Sequence, residues 1–106
     1  MVDTVVDFEG RQQVLGPRQV SRGTARYPEE MRSWYVEGRA VASFVVDTLG
    51  VVVPESAIIT SESQPAFGNA VCSWLRKQAR FEPFVVNGRK YTVRIANYPV
   101  DFTLTR

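Results

Sequence analysis

The sequence contains no histidine and only one cysteine, and these two absences exclude most catalytic and metal-binding arrangements. Histidine is the commonest general base, activates many nucleophiles and is the usual zinc ligand. Cys72 has no second cysteine with which to form an internal disulfide or a thiolate metal site, and its apolar neighbours favour a packing role. We therefore predict no catalytic residues, no metal site and no cofactor, and we expect the protein not to be an enzyme.

Excess charge and long apolar runs are also lacking. Thirteen basic residues against 11 acidic ones give a net charge of only +2. The densest basic group, Arg76, Lys77 and Arg80, is typical of a solvated helix end, so we predict no nucleic-acid partner. No segment approaches the 18 consecutive apolar residues of a membrane-spanning helix. The carboxylates are dispersed and the glycines all stand apart, which excludes an acid pair and a phosphate-binding loop.

The length of 106 residues and the apolar fraction of 44% predict one domain with a small core. Residues 1–25 are interpreted as an extended N-terminal arm. Val2, Val5, Val6 and Phe8 suit a short strand, and glycines interrupt any regular pattern after them. Residues 26–106 are predicted to form the domain itself.

Two helices are predicted from apolar spacing. The first begins at Pro28 and ends near Gly38, and Met31, Trp34 and Tyr35 recur at the helical spacing that makes one apolar face. The second runs from Phe67 to Gln78 with a clean amphipathic pattern, preceded by Ser63 as the candidate N-cap.

The strands are predicted from alternation and turn residues. Residues 37–47 alternate with one apolar face, residues 47–50 form a turn, and a strand over about 51–60 is weakened by Pro54. A short strand over 81–86 leads to Asn87-Gly88, the strongest hairpin signal in the chain.

A long final strand follows, over about 91–104. Its apolar face changes parity between Ile95 and Val100, which predicts a bulge around 96–99.

The element order helix, strand, strand, helix, strand hairpin predicts an α+β fold. Tight hairpins require antiparallel pairing, and helices cover one face of such a sheet. We expect a two-layer domain in which an antiparallel sheet of about three strands carries two helices on one face.

An ordered set of short motifs extends over roughly residues 26–104. In chain order the set is Tyr27-Pro28-Glu29-Glu30-Met31, Val36-Glu37-Gly38-Arg39, Phe44 to Gly50 with its Asp47-Thr48-Leu49-Gly50 turn, Pro65-Ala66-Phe67, Ala70-Val71 and Arg80-Phe81-Glu82-Pro83. The order and spacing resemble the C-terminal domain of the TonB family of energy transducers. One departure is that Ala79 stands where the best-known members have a tryptophan, and Trp74 lies earlier in the helix.

The resemblance implies a fold, a location and partners. It implies the fold predicted above, a periplasmic location, and an upstream membrane anchor and proline-rich linker outside this chain. The implied partners are a TonB-dependent outer-membrane transporter and, through the upstream segment, an inner-membrane proton-motor complex. The implied activity is to grip a short extended peptide of the transporter and transmit force to it, with no chemistry.

The candidate binding residues follow from this resemblance and from the open edge of the predicted final strand. In the family, the Tyr-Pro element lies near the bound peptide, which makes Arg26, Tyr27 and Pro28 candidates. A partner strand added to the final strand would adjoin Tyr91, Val93, Arg94, Ile95, Val100 and Phe102.

Two alternatives stay open from the sequence. Tyr27 suits a hydrophobic staple before the first helix as well as it suits a partner contact. The whole chain also suits a stand-alone binding or scaffold module of the cell envelope with the same fold. Whether the chain forms a homodimer through the same edge is not readable from the residues.

Overall fold

The computed structural model describes residues 4–7 and 25–104, and it places a mixed sheet beneath one long helix. The strands and helices of the described residues are β1 (Thr4–Asp7), α1 (Glu29–Ser33), β2 (Gly38–Val46), β3 (Ile58–Glu62), α2 (Pro65–Lys77), β4 (Phe84–Val86), β5 (Arg89–Tyr91) and β6 (Val93–Phe102). The main sheet has the order β1-β6-β2-β3, and β4 and β5 pair separately. The predicted α+β fold is confirmed: β6, β2 and β3 form a three-stranded antiparallel sheet with the two helices on one face.

The inner face of β2 forms the floor of the core. Ala40, Ala42, Phe44 and Val46 alternate along the strand and are fully buried, as their spacing predicts. Phe67, Val71, Trp74 and Leu75 of α2 belong to the same apolar cluster. Ala40 and Ala42 have small side chains, so α2 can pack close to the strand without leaving a void.

The bulge predicted in the final strand is present. The pairing of β2 with β6 passes from Ala42 opposite Tyr98 to Phe44 opposite Ile95, so β6 carries an extra residue there. Asn97 adopts a positive φ of 55° within this bulge. The extra residue explains how Ile95 and Val100, at positions of opposite parity, both point into the core.

Helix α2 is confirmed, but its predicted N-cap is wrong. The N-cap position is Gln64, and Pro65 occupies the first turn. The Ser63 hydroxyl instead accepts a hydrogen bond from the backbone N–H of Arg39, at 3.1 Å. The side chain therefore connects the start of β2 to the chain entering α2.

The apolar face predicted for the first helix is only partly correct. Met31 packs against the core, but Trp34 and Tyr35 are 76% and 78% exposed. The helix ends at Ser33, and Tyr35 takes a left-handed φ of 57°. The N–H of Val36 then bonds to the Met31 carbonyl and that of Tyr35 to the Arg32 carbonyl, the Schellman arrangement. The helix stops before its aromatic residues reach the core, and Val36 packs there instead.

The strand predicted over 51–60 is displaced toward the C-terminus. Val51 and Val52 make isolated bridges, a 3₁₀ turn covers Pro54–Ser56, and β3 begins at Ile58. Proline fixes φ and lacks the N–H of a regular strand, so it initiates a turn here.

The Asn87-Gly88 hairpin is confirmed, with φ of 51° and 78° as a type I′ turn requires. Its second strand stops at Tyr91, and β6 begins only after Thr92. The single long strand predicted from residue 91 is therefore two strands in different sheets.

The N-terminal segment contributes an unexpected parallel strand. Thr4–Asp7, part of the predicted arm, pairs with Val93–Ala96 of β6. The predicted boundary at residue 25 stays a prediction, since residues 8–24 lie outside the described part of the chain. Within the described residues, neither helix is long and apolar enough to cross a membrane.

Candidate binding edge of the sheet

The candidate edge is the side of β6 that faces away from β2. Along its inner side, β6 pairs with β2 from Gly38 opposite Phe102 to Val46 opposite Val93. Along its outer side, β1 pairs with it over Val93–Ala96. No other described strand pairs with the outer side of β6. The edge can thus be divided into a covered half before the bulge and a second half after it.

The apolar candidate residues of β6 have their side chains in the core. Val93 and Ile95 are fully buried, and Val100 and Phe102 nearly so. The Phe102 ring stacks on Phe67 of α2, with centroids 4.5 Å apart. What these four residues can offer a partner strand is their backbone N–H and C=O groups, since their side chains are already packed.

Two further candidates lie at the start of the edge. Arg94 is half-buried and sits opposite Val5 of β1 and Val45 of β2. Tyr91 belongs to the β4–β5 hairpin, where its ring faces Phe84 at 6.5 Å and the Arg89 guanidinium at 5.2 Å. Tyr91 therefore lies in the β4–β5 hairpin and not on the β6 edge, which begins after Thr92.

Tyr27 connects the chain entering α1 to the core beneath β6. Its ring meets Phe102 edge-on at 5.6 Å and Phe67 edge-on at 5.9 Å. Its hydroxyl donates a hydrogen bond to the Val36 carbonyl. Burial raises the pKa of the Tyr27 phenol, and the Glu37 carboxylate adds to this, so the group stays a neutral donor.

These contacts show that Tyr27 packs against the core. Its role in binding a partner stays a prediction. Pro28 is half-buried and is the extended N-cap residue of α1, so the helix begins at Glu29, one residue later than predicted.

Arg26 lies in a different place from the edge candidates. Together with α2 residues it lines a shallow pocket, whose other residues are Ala70, Ser73, Trp74, Lys77 and Gln78. The indole N–H of Trp74 is buried without a hydrogen-bond partner within the described structure. The nine candidates are thus divided among the β6 edge, the aromatic contact of Tyr27, the N-cap of α1, the hairpin and this pocket.

The far end of β6 is held to β2 by a cross-strand ion pair. Arg39 and Asp101 are register partners, and the Arg39 Nε lies 2.6 Å from an Asp101 carboxylate oxygen. The hydrogen bond to Asp101 and the charge of that carboxylate raise the pKa of Arg39 further. Just beyond, the Leu104 N–H donates to the Glu37 carboxylate at 2.6 Å. Both side chains of the ion pair are largely exposed, so solvent screens the attraction and its net contribution to stability is small.

The opposite edge of the sheet is formed by β3, which is shorter and irregular. The pairing of β2 with β3 shifts register between Val41 and Ala42. Ile58 at its start is 53% exposed. An irregular five-residue strand offers a partner fewer evenly spaced hydrogen bonds than the Val93–Ala96 segment, so β6 is the better candidate.

The sequence interpretation predicted a short strand that includes Val5 and Val6, but it missed that this strand covers the edge. Thr4, Val5 and Val6 are consecutive β-branched residues and suit a strand. Nothing in their spacing indicates which strand they pair with, because parallel pairing joins residues far apart in the chain. Only the fold brings Thr4 opposite Val93.

The described residues contain no cluster of three or more potential metal ligands among Cys, Asp and Glu. Comparison with curated proteins gives no match.

Both the fold and the sequence of this chain are similar to those of known proteins. The solution NMR structure of the Pseudomonas aeruginosa TonB C-terminal domain superposes with a TM-score of 0.67, covers 95% of each chain and shares 17% sequence identity. The family model for the Gram-negative bacterial TonB protein C-terminal matches residues 24–104. The chain therefore belongs to the family of TonB C-terminal domains, the periplasmic interaction domains of transport-related energy transducers.

Proposed function

We propose that this domain binds an extended segment of a TonB-dependent outer-membrane transporter by adding it as a strand to the outer edge of β6. The observation that carries the proposal is the regular extended backbone of Val93–Ala96, which already pairs with a strand on that side. Strand addition gives affinity through main-chain hydrogen bonds and selectivity through alternate side chains.

The strength of such an interaction suits a releasable grip. Each main-chain hydrogen bond contributes a net of about 0.5–1.5 kcal/mol, and Val93–Ala96 presents about four such bonds on its outer side, so backbone pairing with added side-chain contacts is consistent with micromolar dissociation. A force that pulls the peptide along the strand direction is shared among these hydrogen bonds. The Arg39–Asp101 pair and the β2–β6 ladder join the loaded strand to the rest of the domain.

The force itself would come from an inner-membrane proton-motor complex through a segment upstream of this chain. A stand-alone envelope module with the same fold would bind through the same edge but would have no such connection. A membrane anchor and a proline-rich linker preceding this chain in the full protein would favour the transducer.

The experiment is a proline scan of transporter peptides measured by calorimetry against the full chain. A proline at a position whose N–H faces β6 removes that bond and blocks pairing, so binding weakens by about tenfold or more. A proline at the neighbouring position, whose N–H faces away, has a smaller effect. An alternating pattern supports strand addition, and a uniform response to proline along the peptide contradicts it.

A matched protein variant separates the edge from the pocket on α2. Lys77→Ala removes a charged residue that belongs to α2 and lines the pocket. Strand addition predicts unchanged affinity for this variant. A loss of affinity comparable to that of the best proline peptide would place the peptide in the pocket instead.

A further inference from the structure

We propose that β1 is an internal competitor for the binding edge, so that a partner strand binds only when β1 leaves. This inference rests on the proposed function, which places the partner on β6. The observation is that Thr4–Asp7 pairs in parallel with Val93–Ala96, in the register Thr4 opposite Val93 to Asp7 opposite Ala96. One side of a strand accepts one partner at a time, so the two pairings exclude each other.

The edge has no equivalent second position to which a partner could move. Beyond Ala96 the strand passes through the bulge, where Asn97 has a positive φ. Pro99 follows and has no N–H to donate. Three residues remain after it before β6 ends at Phe102. The uninterrupted stretch of the outer edge is the one that β1 occupies.

The pairing of β1 is short compared with the pairings that hold the sheet. It joins four residues, whereas β6 pairs with β2 along most of its ten residues. A strand at the edge of a sheet has neighbours on one side only, and local opening begins at elements with few partners. Detachment of β1 would leave the β2–β6 pairing in place.

The number of residues between β1 and Ala25 sets how far β1 can lie from its position on β6. Residues 8–24 join β1 to Ala25, and their fully extended reach is about 60 Å. The longest dimension of the described structure is 48 Å. A tethered segment has an effective concentration of about millimolar, so a weak strand can compete with a micromolar partner.

The experiment compares two double-proline variants of the full chain. Adjacent residues of a strand point their N–H groups to opposite sides. In the variant with Val5→Pro and Val6→Pro, one of the two prolines therefore removes an N–H that faces β6 and blocks the pairing of β1. Gln12→Pro with Gln13→Pro places the same substitutions in the connecting residues as a control. Both are tested with a synthetic peptide of residues 2–9 and with transporter peptides, and thermal melting verifies that each variant is folded.

The proposal predicts that the β1 variant binds both kinds of peptide about three- to tenfold more tightly than the wild type, because a docked competitor reduces the competent fraction. It also predicts faster amide exchange at Val93–Ala96 in that variant. The control variant keeps the affinity and exchange of the wild type. Equal affinity and unchanged exchange in the β1 variant would overturn the proposal.

The two peptides separate this inference from the proposed function. If transporter peptides bind neither protein but the residue 2–9 peptide binds the β1 variant more tightly, the internal pairing stands and the transporter function fails. If transporter peptides bind all proteins equally, the function stands and the internal competition fails. Exchange protection of Val93–Ala96 that disappears on dilution would assign β1 to a second copy, and would also overturn the proposal.

Discussion

At the scale of single residues, the fold depends on positions where the backbone leaves no space for a side chain. Gly50 ends the β2 turn at a φ of 82°, and the Phe81 N–H donates to its carbonyl. The Asp47 carboxylate accepts hydrogen bonds from the Leu49 and Val51 N–H groups in the same turn. The motif Asp47 to Gly50 therefore also fixes where the chain after α2 returns to the sheet.

Substituting Gly50 by alanine is expected to cost more than the same change at Gly88. Both have positive φ, but a Cβ at Gly50 would lie 2.0 Å from the Phe81 carbonyl oxygen, whereas Gly88 has open space. We expect losses of about 2–4 kcal/mol for Gly50→Ala and about 1 kcal/mol for Gly88→Ala in urea unfolding. Equal losses would show that the backbone near Phe81 yields at little cost.

Tyr98 predicts a dependence of stability on alkaline pH. Its ring meets Phe44 and Phe81 edge-on, and burial raises its phenol pKa above the ordinary value of about 10. The folded state thus favours the neutral phenol. That stabilisation is complete below about pH 10 and is lost as the pH rises through the raised value.

The measurement is the urea midpoint of the wild type and of Tyr98→Phe between pH 8 and pH 11, a range chosen to span the ordinary tyrosine pKa of about 10. The wild type should lose stability more steeply than the variant above pH 10. Some dependence should persist in the variant, because the pKa of Tyr27 is raised as well. Parallel curves would refute a protected Tyr98 phenol.

At the scale of elements, alternation and helical spacing predict the parts of the fold whose local pattern agrees with their burial. The buried face of β2, the helix α2, the Asn87-Gly88 turn and the bulge in β6 all follow from local residues. The prediction for helix α1 is wrong in part because the helix ends just before Tyr35, which has a left-handed φ. A positive φ is rarely expected of a tyrosine.

The break between β5 and β6 and the pairing of β1 were also missed, for a related reason. Whether a strand continues in the same sheet depends on what lies beside it, and residue spacing does not contain that information. The candidate edge was predicted, but its occupant was not, because Thr4 and Val93 are brought together only by the fold.

The assignment of buried faces predicts the effect of introducing a charge. Val93→Asp and Phe67→Asp each place a carboxylate at a fully buried position, where it has no partner. We expect each to lose roughly 4 kcal/mol or more, a fall in melting temperature of about 15–30 °C or complete unfolding.

Val85→Asp is the control for these two variants, since Val85 lies in the separate hairpin and is 49% exposed. Its melting temperature should stay within a few degrees of the wild type. Cooperative melting of Val93→Asp close to the wild-type temperature would refute the face assigned to β6.

At the scale of the whole molecule, the domain combines a stiff ladder with an edge that is only partly occupied. The antiparallel pairs β6–β2 and β2–β3, the α2 helix and the aromatic contacts of Tyr27, Phe67 and Phe102 form one connected body. A body of this kind can transmit a pull applied along β6. In the proposed strand addition the partner pairs with the backbone of the edge, so the buried side chains of β6 need not face the partner.

The most direct test of strand addition is to follow the backbone amides of the ¹⁵N-labelled full chain during titration with N-terminal peptides of TonB-dependent transporters. The account predicts that shifts concentrate at Val93–Ala96, with smaller changes at 100–102, and that a peptide with a proline at an edge-facing position produces none of them. Shifts concentrated on Ala70 to Gln78 around the α2 pocket, with β6 unchanged, would contradict it.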